Sequence, residues 1–276
     1  MTVFPHLPRT LRLVLRETKV NVMLTIEYRA AFFVIMLNVF TGPTISLLVW
    51  LAVIEHGPGG AALAMDRPQV VTYYVLMSLV SMLTGVWLSE YLADDIRTGN
   101  LSKYLLRPAP HMAGALGNNL GEKVIKLMLL GPLVLVAGFL FRHDLRLPAD
   151  PSTWLLFGLA VALAFLLHFL IDYLLGSLAF WQQAVHGIVT LEGLVAGLLA
   201  GRFVPLALFP PELAPLLAAQ PWRFTLSFPL EVVTASLSAE QLAYGFGLQV
   251  AYIAGLAALI RVVWRYGLRS YAATRG

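Results

Sequence analysis

Cysteine is absent from this 276-residue chain, which excludes disulfides, thiolate nucleophiles and cysteine metal sites. Charge is nearly as scarce. Asp, Glu, Lys and Arg make up 12% of the residues, against about 25% in a soluble domain. Hydrophobic residues make up 59%, and the mean hydropathy is +0.77. So little charge cannot cover a water-facing surface, and the chain reads as an integral membrane protein. No Gly-Lys dipeptide occurs, so there is no G-x-x-x-x-G-K-[ST] phosphate loop, and G-x-S-x-G is missing too. The chain by itself should hydrolyse no ATP. The six histidines, His6, His56, His111, His143, His168 and His186, are scattered without metal-ligand spacing. A secretory signal is not evident, because the first long apolar run begins near Ala30 behind a basic segment and is too long.

What is present is a series of apolar runs. Residues 7–22 form a two-faced helix, with Leu7, Leu11, Val14, Leu15, Thr18 and Val22 on one side and Arg9, Arg12, Arg16 and Lys19 on the other. Such a helix suits the membrane interface and anionic headgroups. Membrane-spanning helices are predicted over 30–54, 68–89, 119–141, 152–178, 185–201 and 241–260. The first covers ~37 Å at ~1.5 Å per residue, enough for a ~30 Å core. Gly42-Pro43 and Pro132 predict kinks, and Lys123 and Lys126 should snorkel to the interface. Residues 202–239 are apolar but hold Pro205, Pro210, Pro211, Pro215, Pro221 and Pro229, which forbids a continuous helix. Broken apolar backbone at membrane depth must be buried in protein. This segment therefore reads as two short re-entrant helices, the second capped by Ser227. The last span ends in a basic tail with Arg261, Arg265, Arg269 and Arg275.

Taking the amino terminus as inside, six spans leave 14 Lys and Arg on the inner side. The outer side holds 5, namely Arg67, Arg142, Arg146, Arg202 and Arg223, which completes the total of 19. The bias follows the positive-inside rule and puts both termini in the cytoplasm. The basic balance is thus an orientation signal, and no nucleic-acid partner is implied.

Between the second and third spans lies the densest charged run, Leu88 to Pro108, with a foot from Asp94 to Pro108 within it. It breaks at Gly99 and restarts at Asn100, a good N-cap. A short helix should follow, with Leu101, Tyr104 and Leu105 on one side, closed by Leu106, Arg107 and Pro108. Asp95, Ile96, Arg97 and Lys103 complete this foot. The pattern also fits an ordinary charged loop. Within spans, Asp172 follows His168 by four residues and could pair with it, and Glu192 is a second intramembrane carboxylate. Such groups often mark a transport path, or let a bundle pack. Gly193, Gly197 and Gly201 form a ladder at four-residue spacing, which suits close helix packing or a dimer contact. A proton-driven transporter using His168, Asp172 and Glu192 is the alternative these residues leave open.

The chain resembles the permease subunits of type-2 ABC transporters. The likeness rests on Ile96-Arg97-Thr98-Gly99-Asn100-Leu101-Ser102-Lys103-Tyr104-Leu105-Leu106-Arg107-Pro108, on Phe180-Trp181, and on the run from Gly201 through Pro205 to Phe209-Pro210. Pieces at Gln220–Phe224 and Phe228–Glu231 extend it over nearly the whole sequence. The resemblance implies that 7–22 is a connecting helix. The foot, 94–108, would be a coupling helix docking on a separate ATPase subunit, and 202–239 would be an outer gate. It further implies two copies of that ATP-binding subunit, which would hold the ATP and Mg. A second permease subunit, identical or paralogous, would complete an exporter in a bacterial inner membrane. Spans two and three would carry the foot's movement.

Overall fold

Apolar runs become helices, and the breaks between them fall where glycine, proline or a capping carboxylate intervenes. The computed structural model describes residues 8–27, 29–57, 64–106, 110–235 and 237–275, without the side chains of 25–39, 129 and 273–275. Leu7, residues 58–60, Arg107 and Pro108 lie outside the described residues, as do the side chains of Arg29 and Arg275. Among the described residues all regular structure is helical. The first half holds α1 (Arg9–Glu27), α2 (Arg29–His56), α3 (Arg67–Thr84), α4 (Ser89–Thr98), α5 (Leu101–Leu105) and α6 (His111–Leu140). The second half holds α7 (Pro151–Ser177), α8 (His186–Leu199), α9 (Ala214–Ala219), α10 (Ser227–Thr234) and α11 (Ala239–Arg275), with short 3₁₀ turns between.

Among the described residues three stretches are long and apolar enough to cross a membrane: Arg67–Thr98, Pro151–Phe180 and Ala239–Ala272. A fourth arises if His111–Met128 and Leu130–Leu140, which meet at 45°, count as one. That bend lies within one turn of Pro132, whose ring clashes with the preceding turn and which donates no amide bond. Pro43, by contrast, sits inside a continuous α2. His186–Leu199 is a shorter apolar helix, and Phe40–His56, the part of α2 whose side chains are described, is apolar as well.

Several bounds differ from those read in the sequence. The helix predicted over 68–89 stops at Thr84 and resumes at Ser89. The helix expected from Asn119 already starts at His111. Its first turns are glycine-rich and weak by propensity, but α1 packs against them. A Cβ on Gly117 would lie 2.5 Å from the Val14 carbonyl oxygen, and one on Gly121 would lie 2.7 Å from that of Thr18. Thr18 donates to the Gly117 carbonyl (2.9 Å), and Asn21 to Asn118 (3.1 Å). Backbone-to-backbone approach of this kind needs glycine at the contact. So α1 is seated on α6 along one side, while Leu11 and Leu15 remain exposed. Gly117→Val is therefore expected to lift α1 away. In the cysteine-free background, crosslinking of Asn21→Cys to Asn118→Cys by a short bis-maleimide should fall several-fold, and an unchanged yield refutes the contact.

The helix expected over 241–260 runs on through its basic tail as a single 37-residue α11. Where α11 passes the turn after α7, Gly267 leaves room for the Phe180 ring. The start of α3 is fixed by a capping box, Asp66 accepting from the Gln69 amide and Gln69 from the Asp66 amide, both at 2.9 Å. Asp150 caps α7, and the Ser152 hydroxyl and amide hold its carboxyl below the usual range. Arg67 pairs with Glu55 and with Asp144 (3.1 Å), and Arg146 with Asp66 (2.9 Å). These bonds gather the end of α2, the start of α3 and the α6–α7 connection at one end of the molecule.

Among the described residues two large apolar cores result, with a small third cluster of Met82 and Leu130 between α3 and α6. The larger joins α3, α7 and α10 through Tyr73, Met77, Phe157, Leu167, Phe224 and Phe228. The second joins α4, α5, the end of α7 and α11 through Leu92, Ile96, Leu101, Phe169, Phe180 and Ile260.

Candidate functional site

The foot is built on the second core. Leu92 and Ile96 of α4 point inward, and Gly176 of α7 lets α4 approach. A Cβ there would lie 2.8 Å from the Ser89 carbonyl oxygen and 3.0 Å from the Leu92 Cβ. Gly99 closes α4 with φ 86°, a left-handed conformation that glycine adopts without strain. Asp94 pairs with Arg97 at 3.1 Å, and Arg97 also donates to the Gln183 carbonyl. Asn100 does not cap α5 as expected. Its backbone is already helical, so its side chain donates to Thr98 Oγ1 and accepts from Lys103 Nζ (2.7 Å). Leu101, expected on the docking side, is fully buried in this chain. The exposed apolar tip is Leu105 and Leu106, the latter 87% exposed. Tyr104 turns edge-on to His111 at 4.9 Å. Asp95 is exposed to an intermediate degree, and Lys103 faces solvent.

The foot leaves α3 through the four-residue break at 85–88, and two charged side chains hold that break. Asp172 of α7 accepts from the amides of Leu88 (2.5 Å) and Ser89 (2.8 Å), which satisfies the start of α4 and places a carboxylate at its N-terminus. Lys123 of α6 donates to the Gly85 carbonyl. The expected His168–Asp172 pair does not form. His168 faces the Thr84 backbone at the end of α3 instead, while Asp172 is taken up by the Leu88 and Ser89 amides. Nor do Lys123 and Lys126 snorkel. Both are buried, and Glu122 lies between them, 3.8 Å from Lys123 and 2.5 Å from Lys126.

The glycine ladder divides. Gly193 has nothing against it, Gly197 accommodates the Phe203 ring, and Gly201 lies past the helix end at φ 83°. Gly201 is a turn glycine whose carbonyl accepts from Tyr73 OH (2.8 Å). Only Gly193, beside exposed Leu191 and Leu194, leaves an open helix face. Glu192 accepts from Trp222 Nε1 (2.9 Å) and so ties α8 to the 3₁₀ turn Pro221–Thr225.

The proline-rich segment is folded around Arg223. Its guanidinium meets Glu231 at 2.5 Å, donates to the Ala218 carbonyl (2.9 Å) and lies over Phe224 and Phe228. Ser227 does not cap α10. It is the first helical residue, and its hydroxyl donates to Glu231 (2.9 Å). Sequence reading missed Arg223, Glu231 and Gln249 as structural groups. Arg223 and Glu231 lie in the pieces that carry the family likeness, and Gln249 stands out as a lone amide in an apolar run, but none of these signals names a partner. Among the described residues no group of three or more His, Asp or Glu could hold a metal ion.

No curated protein matches the chain. The family model for ABC-2 family transporter proteins matches residues 40–275, a range that takes in the foot, the break and the proline-rich segment alike. With apolar helices of membrane-crossing length and those three features inside the match, the chain belongs to the ABC-2 transporter family and is a multi-span membrane permease of an ABC transporter.

Proposed function

We propose that this permease is the membrane half of an ATP-driven exporter, with its foot as the surface that a separate ATP-binding subunit grips. The family implies association with ATP-binding subunits. The observation that carries the finer reading is the foot's construction. A short exposed tip, Leu105 and Leu106 flanked by Asp94, Arg97 and Lys103, projects from a helix pinned at its root by Asp172 and Lys123. A pinned lever with an apolar tip suits a groove that pushes on it, which a loose charged loop does not.

The full assembly in this reading has two ATP-binding subunits, holding ATP and Mg, and two permease chains, identical or paralogous, in the bacterial inner membrane. Six passes leave both termini and the foot in the cytoplasm. Two features support this orientation: the excess of Lys and Arg on that side, and the gathering of 202–235 with the Arg67 cluster away from the foot. ATP binding draws the two feet together, the pathway between the permeases changes access, and hydrolysis resets it. The residues 202–239 close the outer side.

Leu105→Asp with Leu106→Asp is expected to weaken binding and stimulation of the partner ATPase at least tenfold, about 1.4 kcal/mol or more. Anchors that fill such grooves are commonly worth ~2 kcal/mol each. Membrane insertion should be unchanged, since both side chains are exposed. Normal stimulation of the ATPase by the double variant sinks the assignment.

A further inference from the structure

Among the described residues five helices meet the foot or its root: α3, α6, α7, α8 and α11. α8 touches α4 through His186 and Glu90 (2.6 Å) but is only 14 residues long, and two others are poor levers. α3 is interrupted at 85–88, and α6 bends by 45° near Pro132. At both places the run of helical backbone hydrogen bonds is interrupted, so neither helix is a continuous rod from the foot to the far end. α7 is continuous, its one proline lying in the first turn, and α11 runs for 37 residues without proline, ~55 Å at ~1.5 Å per residue.

The foot's lateral contacts converge on these two helices. Tyr104 packs edge-on against His111. The His111 ring stacks on Trp264 of α11 with centroids 5.7 Å apart, and Nδ1 lies 3.2 Å from Tyr173 OH of α7. Trp264 stacks on Tyr173 at 5.3 Å and donates to Ser177 Oγ at 2.8 Å. α4 presses on the same turn of α7 at Gly176.

At the other end the same two helices hold the proline-rich segment. Gln249 of α11 is fully buried, and its amide donates both to the Ala160 carbonyl of α7 (3.1 Å) and to the Phe224 carbonyl (3.0 Å). Tyr252 donates to the Ala219 carbonyl, and Gly245 leaves space for the Phe228 ring. Ala160 lies beside Gln249 and Tyr173 beside Trp264, so the helices run parallel, joined near both ends.

We infer that α7 and α11 act as one strut carrying the foot's displacement to residues 214–234. Tyr104, His111 and Trp264 are positioning residues at the foot, and Gln249 is the positioning residue at the far end. This rests on the coupling role given to the foot above, and it replaces spans two and three as the transmitting elements.

The absence of native cysteine permits a direct test. Ala52→Cys on α2 and Ala214→Cys on α9 are both exposed and can be spin-labelled in the permease assembled with its ATP-binding subunit in nanodiscs. Their distance is then compared without nucleotide and after ATP–Mg–vanadate trapping. The expected result is a nucleotide-dependent shift that falls to less than a third in His111→Ala and in Gln249→Leu, while ATP-binding-subunit binding persists. His111→Phe, which keeps a ring at the junction, restores it. If His111→Ala does not assemble, Tyr104→Leu reads the same link from the foot's surface. A full shift in these variants overturns the strut, and so does a wild-type chain that shows no shift while its partner is bound. Failure of the partner to bind the unlabelled chain overturns the coupling reading itself.

Discussion

Replacing Arg223 by leucine is expected to cost about 2–3 kcal/mol of stability, below the ~3–5 kcal/mol seen when one member of a fully buried ion pair is removed, because this pair is only part-buried. The pair is closely made. Arg223 Nε lies 3.2 Å from both Glu231 oxygens and Nη2 lies 2.5 Å from Oε2, with side chains only 14% and 20% exposed. Without the guanidinium, Glu231 keeps only the Ser227 hydroxyl, and the Ala218 carbonyl loses its donor. The penalty comes from the stranded carboxylate more than from lost attraction, since desolvation offsets much of a buried pair's Coulomb energy. Arg223→Leu combined with Glu231→Leu should therefore recover most of the loss. Thermal survival of monodisperse protein in detergent separates the cases. The account fails if the single variant is as stable as wild type or the double is no better than the single.

Asp172→Leu is expected to cost about 3 kcal/mol, because two amides at the buried start of α4 lose their acceptor at ~1–3 kcal/mol each. Asp172→Asn keeps a carbonyl oxygen in place and gives up only the favourable charge at the helix N-terminus, worth ~0.3–1 kcal/mol at most sites. The order wild type, Asn, Leu should hold in thermal stability. It should also hold in stimulation of the partner ATPase, because the foot's root loosens as the cap is lost. If Asn is as damaging as Leu, the side chain serves through its charge and not as a cap.

Arg97 and Lys103 show how closely a residue's type can be read and its partner missed. Arg97 lies in α4 and Lys103 in α5. Yet their bonds go to Asp94, Gln183 and Asn100 of the same chain, and Leu101 turned inward. Periodicity over one helical turn states which residues share a side, but it does not state which side faces the protein. Lys123, Lys126 and Asp172 were misread for a related reason. A charge within an apolar run was assigned to water, lipid headgroups or a neighbour four residues away, because a single sequence displays only local partners. Lys123 and Asp172 bond the backbone of a break 38 and 84 residues distant, whereas Lys126 pairs with Glu122 four residues away, a local partner that the sequence does display.

The sequence by itself determined that this is a helical membrane protein of many apolar segments. It also determined that the segment after Gly201 could not be a continuous helix, that a charged foot turns at Gly99, and that Pro132 bends its helix. Those features follow from side-chain composition and from two residues whose backbone limits are intrinsic, glycine and proline. Only the tertiary structure decided where α3 breaks, why α6 can begin in a glycine-rich stretch, which charges hold the foot, and which two helices run unbroken between the foot and the proline-rich segment. Each of these depends on groups far apart in sequence meeting at hydrogen-bonding or van der Waals distance, and such meetings leave no periodic mark along the chain.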